Sequence, residues 1–283
     1  MASSRIRTYR DAVVIITGGA SGIGRALAFE SAARGAQVVI ADLQDEPART
    51  VADQIRAAGG RAQAVQVDMT DSVAVEHLVR DAAESRGRID YLFNNAGIVI
   101  GGTINDLTVG DWNRVIDVNL RGVVNGVQAV YPIMRKQGFG HLVNTASMAG
   151  LMPHPMNIPY TATKHAVVGL SQSLRAEAAH LGIRVSVICP GVIRTPILDG
   201  GRYGAFHMKI PHEKLGAIWE TLKPMPPEDF AWKTLNAVAK NKAIIIEPPF
   251  WKMIWWLNRL SPALGVALAR RSFTRLRKEF DLC

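Results

Sequence analysis

Tyr160 and Lys164 stand four residues apart in Tyr-Thr-Ala-Thr-Lys, just behind Pro159. Proline suits the first turn of a helix, and residues at i and i+4 share one helix face. A free phenol titrates near ~10 and is a poor base at neutral pH. An ammonium roughly 5 Å away, at an effective dielectric of about 20, stabilises phenolate by about 3 kcal/mol, or roughly two pKa units. Such a pair can exchange a proton with an alcohol while a redox cofactor takes the hydride. Ser147 follows the apolar run Leu142–Asn144. Its hydroxyl can hold a substrate oxygen or cap a turn. Asn119 falls inside the apolar stretch Trp112–Met134, where Asn is a poor helix former. A buried amide there needs partners. It is either a satisfied core group or part of a proton path.

A second group of residues suits a pyrophosphate. Thr17-Gly18-Gly19-Ala20-Ser21-Gly22-Ile23-Gly24 lies between a β-branched run and a helical stretch. Glycines there let the backbone turn tightly and approach a ligand, and the next helix offers free N–H groups and a positive dipole end. The spacing is G-x-x-x-G-x-G, not G-x-G-x-x-G, and no P-loop Lys-Ser/Thr pair follows. The second apolar run ends at Asp42, about the interval expected for an acid that binds a ribose. A carboxylate there accepts both hydroxyls of an adenosine ribose and repels a 2′-phosphate. The neighbours Ser21 and Leu43 supply no cation against it. An ordinary strand-end Asp capping the next turn would look the same.

These groups need a scaffold. Short apolar runs occur at Val13–Thr17, Val38–Ala41, Ala64–Val67, Tyr91–Phe93, Leu142–Asn144 and Val185–Cys189, with a seventh at Ala243–Ile246. Helical periodicity separates them, at Ala26–Arg34, Ala48–Ala58, Ser72–Ser85 and Trp112–Met134. Runs without strict alternation suit strands buried on both faces. The pattern predicts an α/β fold: a doubly wound, Rossmann-like parallel sheet of about seven strands with helices on both faces.

The combination resembles the short-chain dehydrogenase/reductase family, over about residues 8–250. Thr17-Gly18…Gly22-Ile23-Gly24 is similar to its cofactor turn, and Asn94-Asn95-Ala96-Gly97 to the segment after its fourth strand. Asn119, Ser147, Tyr160 and Lys164 match its catalytic tetrad in order and spacing. Pro190-Gly191-Val192-Ile193, followed by Thr195, matches the segment that closes on the nicotinamide. Asp68, followed by Met69, matches the position that contacts adenine. The resemblance implies reversible hydride transfer between a nicotinamide cofactor, NAD by the Asp42 pattern, and a secondary alcohol or ketone. Tyr160 would be the acid/base. Lys164 would lower its pKa and hold the nicotinamide ribose. Ser147 would orient the carbonyl, and Asn119 would hold a water linking Lys164 to solvent. A homotetramer or dimer, located in the cytoplasm, is the corresponding expectation. An NADPH-dependent carbonyl reductase and a cofactor-binding scaffold without turnover are the rival readings.

Residues 1–250 are expected as one catalytic domain, with a substrate lid at about 196–227. The pocket wall near the tetrad offers Met148, Leu151, Met152, His154, Met156 and Ile158; the lid offers Leu198, Tyr203, Phe206, Met208 and Trp219. This apolar set points to a lipophilic substrate held near Ser147, Met148, Met156 and Tyr160. His154 shows no partner in the sequence.

Composition limits the rest. With 283 residues, 48% hydrophobic and 20% charged, the chain is too apolar for disorder, and two cysteines make no disulfide framework. No Cys/His/Asp cluster has metal-ligand spacing, and no secretory signal or membrane span is expected. The net charge is +9, and residues 251–283 supply +5 of it. This basic, Trp-rich extension departs from the family pattern. Aromatics beside cations suit a membrane interface; packing over the lid or a neighbouring subunit suits them equally. The charge forms no groove-length stripe for nucleic acid.

Overall fold

The computed structural model describes residues 5–200, 203–207 and 212–280, without the side chains of residues 212, 213, 215, 279 and 280. The described strands are β1 (Val13–Thr17), β2 (Gln37–Asp42), β3 (Arg61–Gln66), β4 (Tyr91–Asn94), β5 (Val99–Gly101), β6 (Gly140–Thr145), β7 (Ile183–Pro190), β8 (Gly204–Phe206) and β9 (Ile244–Glu247). The helices are α1 (Gly22–Ala33), α2 (Asp45–Ala57), α3 (Ser72–Arg86), α4 (Val109–Ile116), α5 (Gly122–Gln137), α6 (Ile158–Ala178), α7 (His212–Thr221), α8 (Pro227–Ala239), α9 (Phe250–Leu260) and α10 (Pro262–Phe280).

Seven strands form one parallel sheet in the order β3-β2-β1-β4-β6-β7-β9. In register, Ile15 faces Val39 on one side and Leu92 on the other. Every residue of β1 and β4 is buried, as the unbroken apolar runs require. Leu27, Val51, Ile55, Phe230 and Leu235, from α1, α2 and α8, cover one face. Val75, Leu78, Val127, Val130 and Val167, from α3, α5 and α6, cover the other. The strand order reverses between β1 and β4, which opens a crevice at the carboxyl ends of the strands.

Polar ties anchor this sheet. The buried Asp90 carboxylate, just before β4, accepts from both the Nε and a terminal nitrogen of Arg88, at 2.9 and 2.5 Å. It also accepts from the Arg7 and Val13 amides, at 2.9 and 3.0 Å. Four donors on one carboxylate offset its desolvation and fix where β1 and β4 begin. Beneath the crevice, Asn94 Nδ2 donates to Asn144 Oδ1 at 2.9 Å and Asn144 Nδ2 to Ser171 Oγ at 3.0 Å. That chain links β4, β6 and α6.

Three features differ from the sequence expectation. The third strand runs Arg61–Gln66 instead of Ala64–Val67, because it is the sheet edge and its Arg61, Gln63 and Gln66 are exposed. The Trp112–Met134 stretch is not one helix. A π-helical segment, Asp117–Arg121, separates α4 from α5 and carries Asn119. Such wide turns recur at functional sites. A small parallel pair, β5 with β8, lies apart from the main sheet. Three-residue strands with a glycine at one end give too little periodicity to be read in advance.

Candidate active site

A cleft of about 1750 Å³ occupies the crevice. The expected site residues line it except Gly24 and Asn119, and so do the residues expected at its wall near the tetrad except Leu151 and Ile158. The glycines at its cofactor end are explained by contact distances. Gly18 and Gly22 have φ of +63° and +49°, which favours glycine. A Cβ on Gly24 would sit 2.0 Å from the Gly18 carbonyl oxygen, so Gly24 serves the close approach of α1 to the turn after β1 and lies outside the cleft lining. A Cβ on Gly18 would lie 2.8 Å from the Ala96 Cα. The Ser21 side chain makes no cap bond to α1, which leaves the first amides of that helix facing the cleft. Thr17 Oγ1 accepts from the Asn95 and Ala96 amides, at 2.9 and 3.0 Å, and so ties β1 to the Asn94–Gly97 segment. Sequence reasoning did not assign Thr17 this role; a Thr closing an otherwise aliphatic strand was the available signal.

Asp42 is both a cleft wall and a turn cap. Its carboxylate is 8% exposed, accepts from Ala20 N and Gln44 N at 3.0 Å each, and still borders the cleft. The cations near this edge are engaged. Arg25 stacks on Phe29 at 4.6 Å and donates to Gln54, and Arg49 pairs with Asp45 at 2.8 Å. Leu43 is 61% exposed beside them.

The tetrad residues come together, with one behind the wall. The Ser147 hydroxyl accepts from Ala149 N at 3.1 Å, capping a 3-10 turn, and stands close enough to the Tyr160 phenol to lower its titration. Lys164 Nζ lies 5.4 Å from the Tyr160 ring centroid and donates to the Thr145 carbonyl at 2.8 Å. Desolvation brings the Lys164 ammonium down to about 8. Desolvation also pushes the Tyr160 phenol above its ordinary value, the Ser147 hydrogen bond pulling the other way. A phenol depressed by Lys164 was expected; the spacing is as foreseen, but burial sets the direction and Ser147, not Lys164, supplies the opposing pull. Asn119 is fully buried, and its amide brackets Ile98: Oδ1 accepts from Ile98 N at 2.8 Å and Nδ2 donates to Ile98 O at 2.9 Å. Its side chain therefore positions the segment after β4. A Cβ on Gly97 would fall 3.3 Å from Asn119 Oδ1 and 3.5 Å from Lys164 Nζ, so the glycine keeps that gap open.

The substrate end is apolar. Met148 is buried at its wall, and Met156 holds a left-handed φ of +66°. A non-glycine residue in that region is uncommon and marks a tightly determined loop. His154, partnerless in sequence, borders the cleft and bonds Asn157 Nδ2 at 3.2 Å. Leu198, Tyr203, Phe206 and Trp219 of the expected lid also line the cleft; Met208 lies outside the described residues. Less foreseeable is the share taken by α9 and α10. Trp251 lies so close to Gly191 that a Cβ there would be 2.1 Å from the indole nitrogen. Asn258 donates to the Leu151 carbonyl at 2.9 Å. Cys189 is a buried free thiol raised by desolvation to about 12. Among the described residues there is no group of three or more His, Cys, Asp or Glu able to hold a metal.

A crevice at the switch point of a doubly wound sheet, with a glycine turn at one end and a Ser/Tyr/Lys cluster at the other, is the layout of a dinucleotide oxidoreductase. A family model described as short chain dehydrogenase matches residues 12–202. The chain belongs to that family. The 2,5-dichloro-2,5-cyclohexadiene-1,4-diol dehydrogenase LinX of Sphingobium indicum is 40% identical over 185 residues, 65% of this chain and 74% of that protein. Levodione reductase of Leifsonia aquatica is 40% identical over 202 residues, 70% of this chain and 75% of that protein. The crystal structure of a family member from Burkholderia phymatum in complex with NAD aligns with a TM-score of 0.81 and 32% identity. It covers 92% of this chain and 96% of that one.

Proposed function

We propose that the chain is an NAD(H)-dependent oxidoreductase that interconverts a lipophilic secondary alcohol and its ketone. The observation that carries the reading is the Ser147–Tyr160 hydroxyl pair, beside Lys164, in a cleft whose other end is the Gly18–Gly24 cradle. That cradle fits a dinucleotide: positive-φ glycines, first-turn amides of α1 that Ser21 does not cap, and a carboxylate where a ribose would lie. Bound there, the nicotinamide supplies or accepts the hydride.

The protein's groups manage the proton. In ketone reduction Tyr160 donates its phenol proton to the substrate oxygen, and in alcohol oxidation its phenolate takes that proton. Ser147 donates a hydrogen bond to the same oxygen and orients it. Lys164, charged below about 8, stabilises phenolate and offers its remaining N–H groups to a ribose. Asn119 keeps its side chain for Ile98, so its part in a water relay is assigned to its main chain in the π-helical turn. Met148, Met156 and the lid aromatics exclude water from the reacting atoms.

NAD is preferred over NADP on two grounds. Asp42 puts a fixed negative charge where the 2′-phosphate would sit, and Arg25 and Arg49 are occupied elsewhere. The family resemblance further supports a dimer or tetramer acting in the cytoplasm. A fluorescence titration with NADH and, separately, NADPH tests the cofactor assignment. NADH is expected to bind at least about tenfold tighter, since each 1.4 kcal/mol of repulsion is about tenfold. Equal or tighter NADPH binding would return the chain to the NADPH-dependent reductase reading.

A further inference from the structure

Helices α9 and α10 use only one side against the cleft. On α9, Trp251, Ile254 and Asn258 face inward. On the outside, Met253, Trp256, Leu257 and Leu260 are exposed by 66, 53, 47 and 79%. Their spacing of i, i+3, i+4 and i+7 makes one helix stripe. Leu264 and Leu268 of α10, exposed by 44 and 55%, extend it. Leu257, Leu264 and Leu268 also line the cleft. The bare apolar ridge therefore runs into the cleft mouth. Apolar patches of this kind mark an interaction surface.

Charge chooses the partner. Residues 251–283 contain seven Lys or Arg against Glu279 and Asp281. Arg270, Arg271 and Arg277 are exposed on α10, on the turn of the helix away from Gly265 and Ala269. A second copy of the chain would bring the same +5 against +5, which repels. An anionic bilayer complements the cations, and Trp beside cations is the side-chain set of a headgroup boundary. Among the described residues no helix is long and apolar enough to cross a membrane, so the arm would lie on the surface.

We propose that the α9–α10 arm seats on an anionic lipid surface and that the substrate enters the cleft from the bilayer. The entry half rests on the oxidoreductase reading; the docking half does not.

The test uses the full chain and vesicles of phosphatidylcholine with or without phosphatidylglycerol. Pelleting with the phosphatidylglycerol vesicles, weakened by salt, is expected. Each cation near an anionic surface is worth roughly fivefold in partitioning. Replacing Arg270, Arg271 and Arg277 together by Ala should cut it about a hundredfold, and the pair W256D and L260D should do at least as much. NADH binding by the variants reports that they are folded. No pelleting, or equal pelleting by the variants, overturns the docking. So does light scattering in which W256D/L260D splits an oligomer while vesicle binding is unchanged; the ridge would then be a self-contact. For entry, W256D/L260D should raise KM several-fold for a long-chain secondary alcohol carried in vesicles and leave KM for a short soluble one unchanged. Equal KM changes for both overturn the bilayer route, and a chain without turnover would still pellet.

Discussion

Lys164→Met should make the protein more stable while abolishing its chemistry. The ammonium is 3% exposed and titrates at about 8 instead of 10.5. At about 1.4 kcal/mol per pH unit, keeping it charged at neutral pH costs the folded state about 3 kcal/mol. Methionine has a similar shape and no charge to desolvate. It also leaves the Thr145 carbonyl without the Nζ donor, a loss of about 1 kcal/mol. The net gain is about 2 kcal/mol, or about 4 °C in midpoint for a chain of this size. The pH dependence is the sharper test. Between about 8 and 10.5 the unfolded chain keeps the lysine proton that the folded one sheds, so parent stability rises with pH there. The variant lacks that rise, and its advantage should have largely vanished by the top of that window. Thermal unfolding of both proteins without dinucleotide, at neutral pH and near that upper limit, measures this. A variant less stable than the parent at neutral pH, or a gap that fails to narrow, would refute the reasoning.

Other perturbations separate the site's parts. Tyr160→Phe should lower kcat by about 10²–10⁴-fold while NADH titrates as before; a variant that keeps turnover would remove Tyr160 from the acid/base role. Asp42→Asn keeps an acceptor for Ala20 N or Gln44 N and removes the charge. Its ratio of NADPH to NADH affinity should rise at least about tenfold, read by the same fluorescence. Asp90→Ala strands Arg88, Arg7 N and Val13 N together. Denaturant unfolding should show a loss of about 3–5 kcal/mol.

Much of this site could be read before any coordinates. Buried parallel strands are apolar on both faces, so β1, β2, β4, β6 and β7 announce themselves; β3, at the edge, hides three residues of its length among Arg61, Ala62 and Gln63. Tyr160 and Lys164 needed only helix periodicity and Pro159. What escaped was long-range. The width of the helical turn at Asp117–Arg121 depends on what Asn119 must reach, namely Ile98, twenty-one residues away. Ser147 and Asp42 each looked like a choice between cap and site residue, and each caps a turn while also lining the cleft. Burial, which set the titration of Tyr160 against expectation, belongs to no single residue. Which face of α9 turns inward became clear only once Leu151 and Gly191 were seen beneath Asn258 and Trp251.

The contact between Trp251 and Gly191 limits how freely the arm can be treated as a cassette. An engineer grafting α9 and α10 onto another scaffold must bring a glycine at the receiving position. Even alanine there would put its Cβ 2.1 Å from the indole nitrogen. The tryptophan would then have to lift, and the loop that follows β7 would lose its roof. Arm and scaffold are therefore matched parts: retuning the specificity of this chain by swapping its terminus means exchanging the landing site as well.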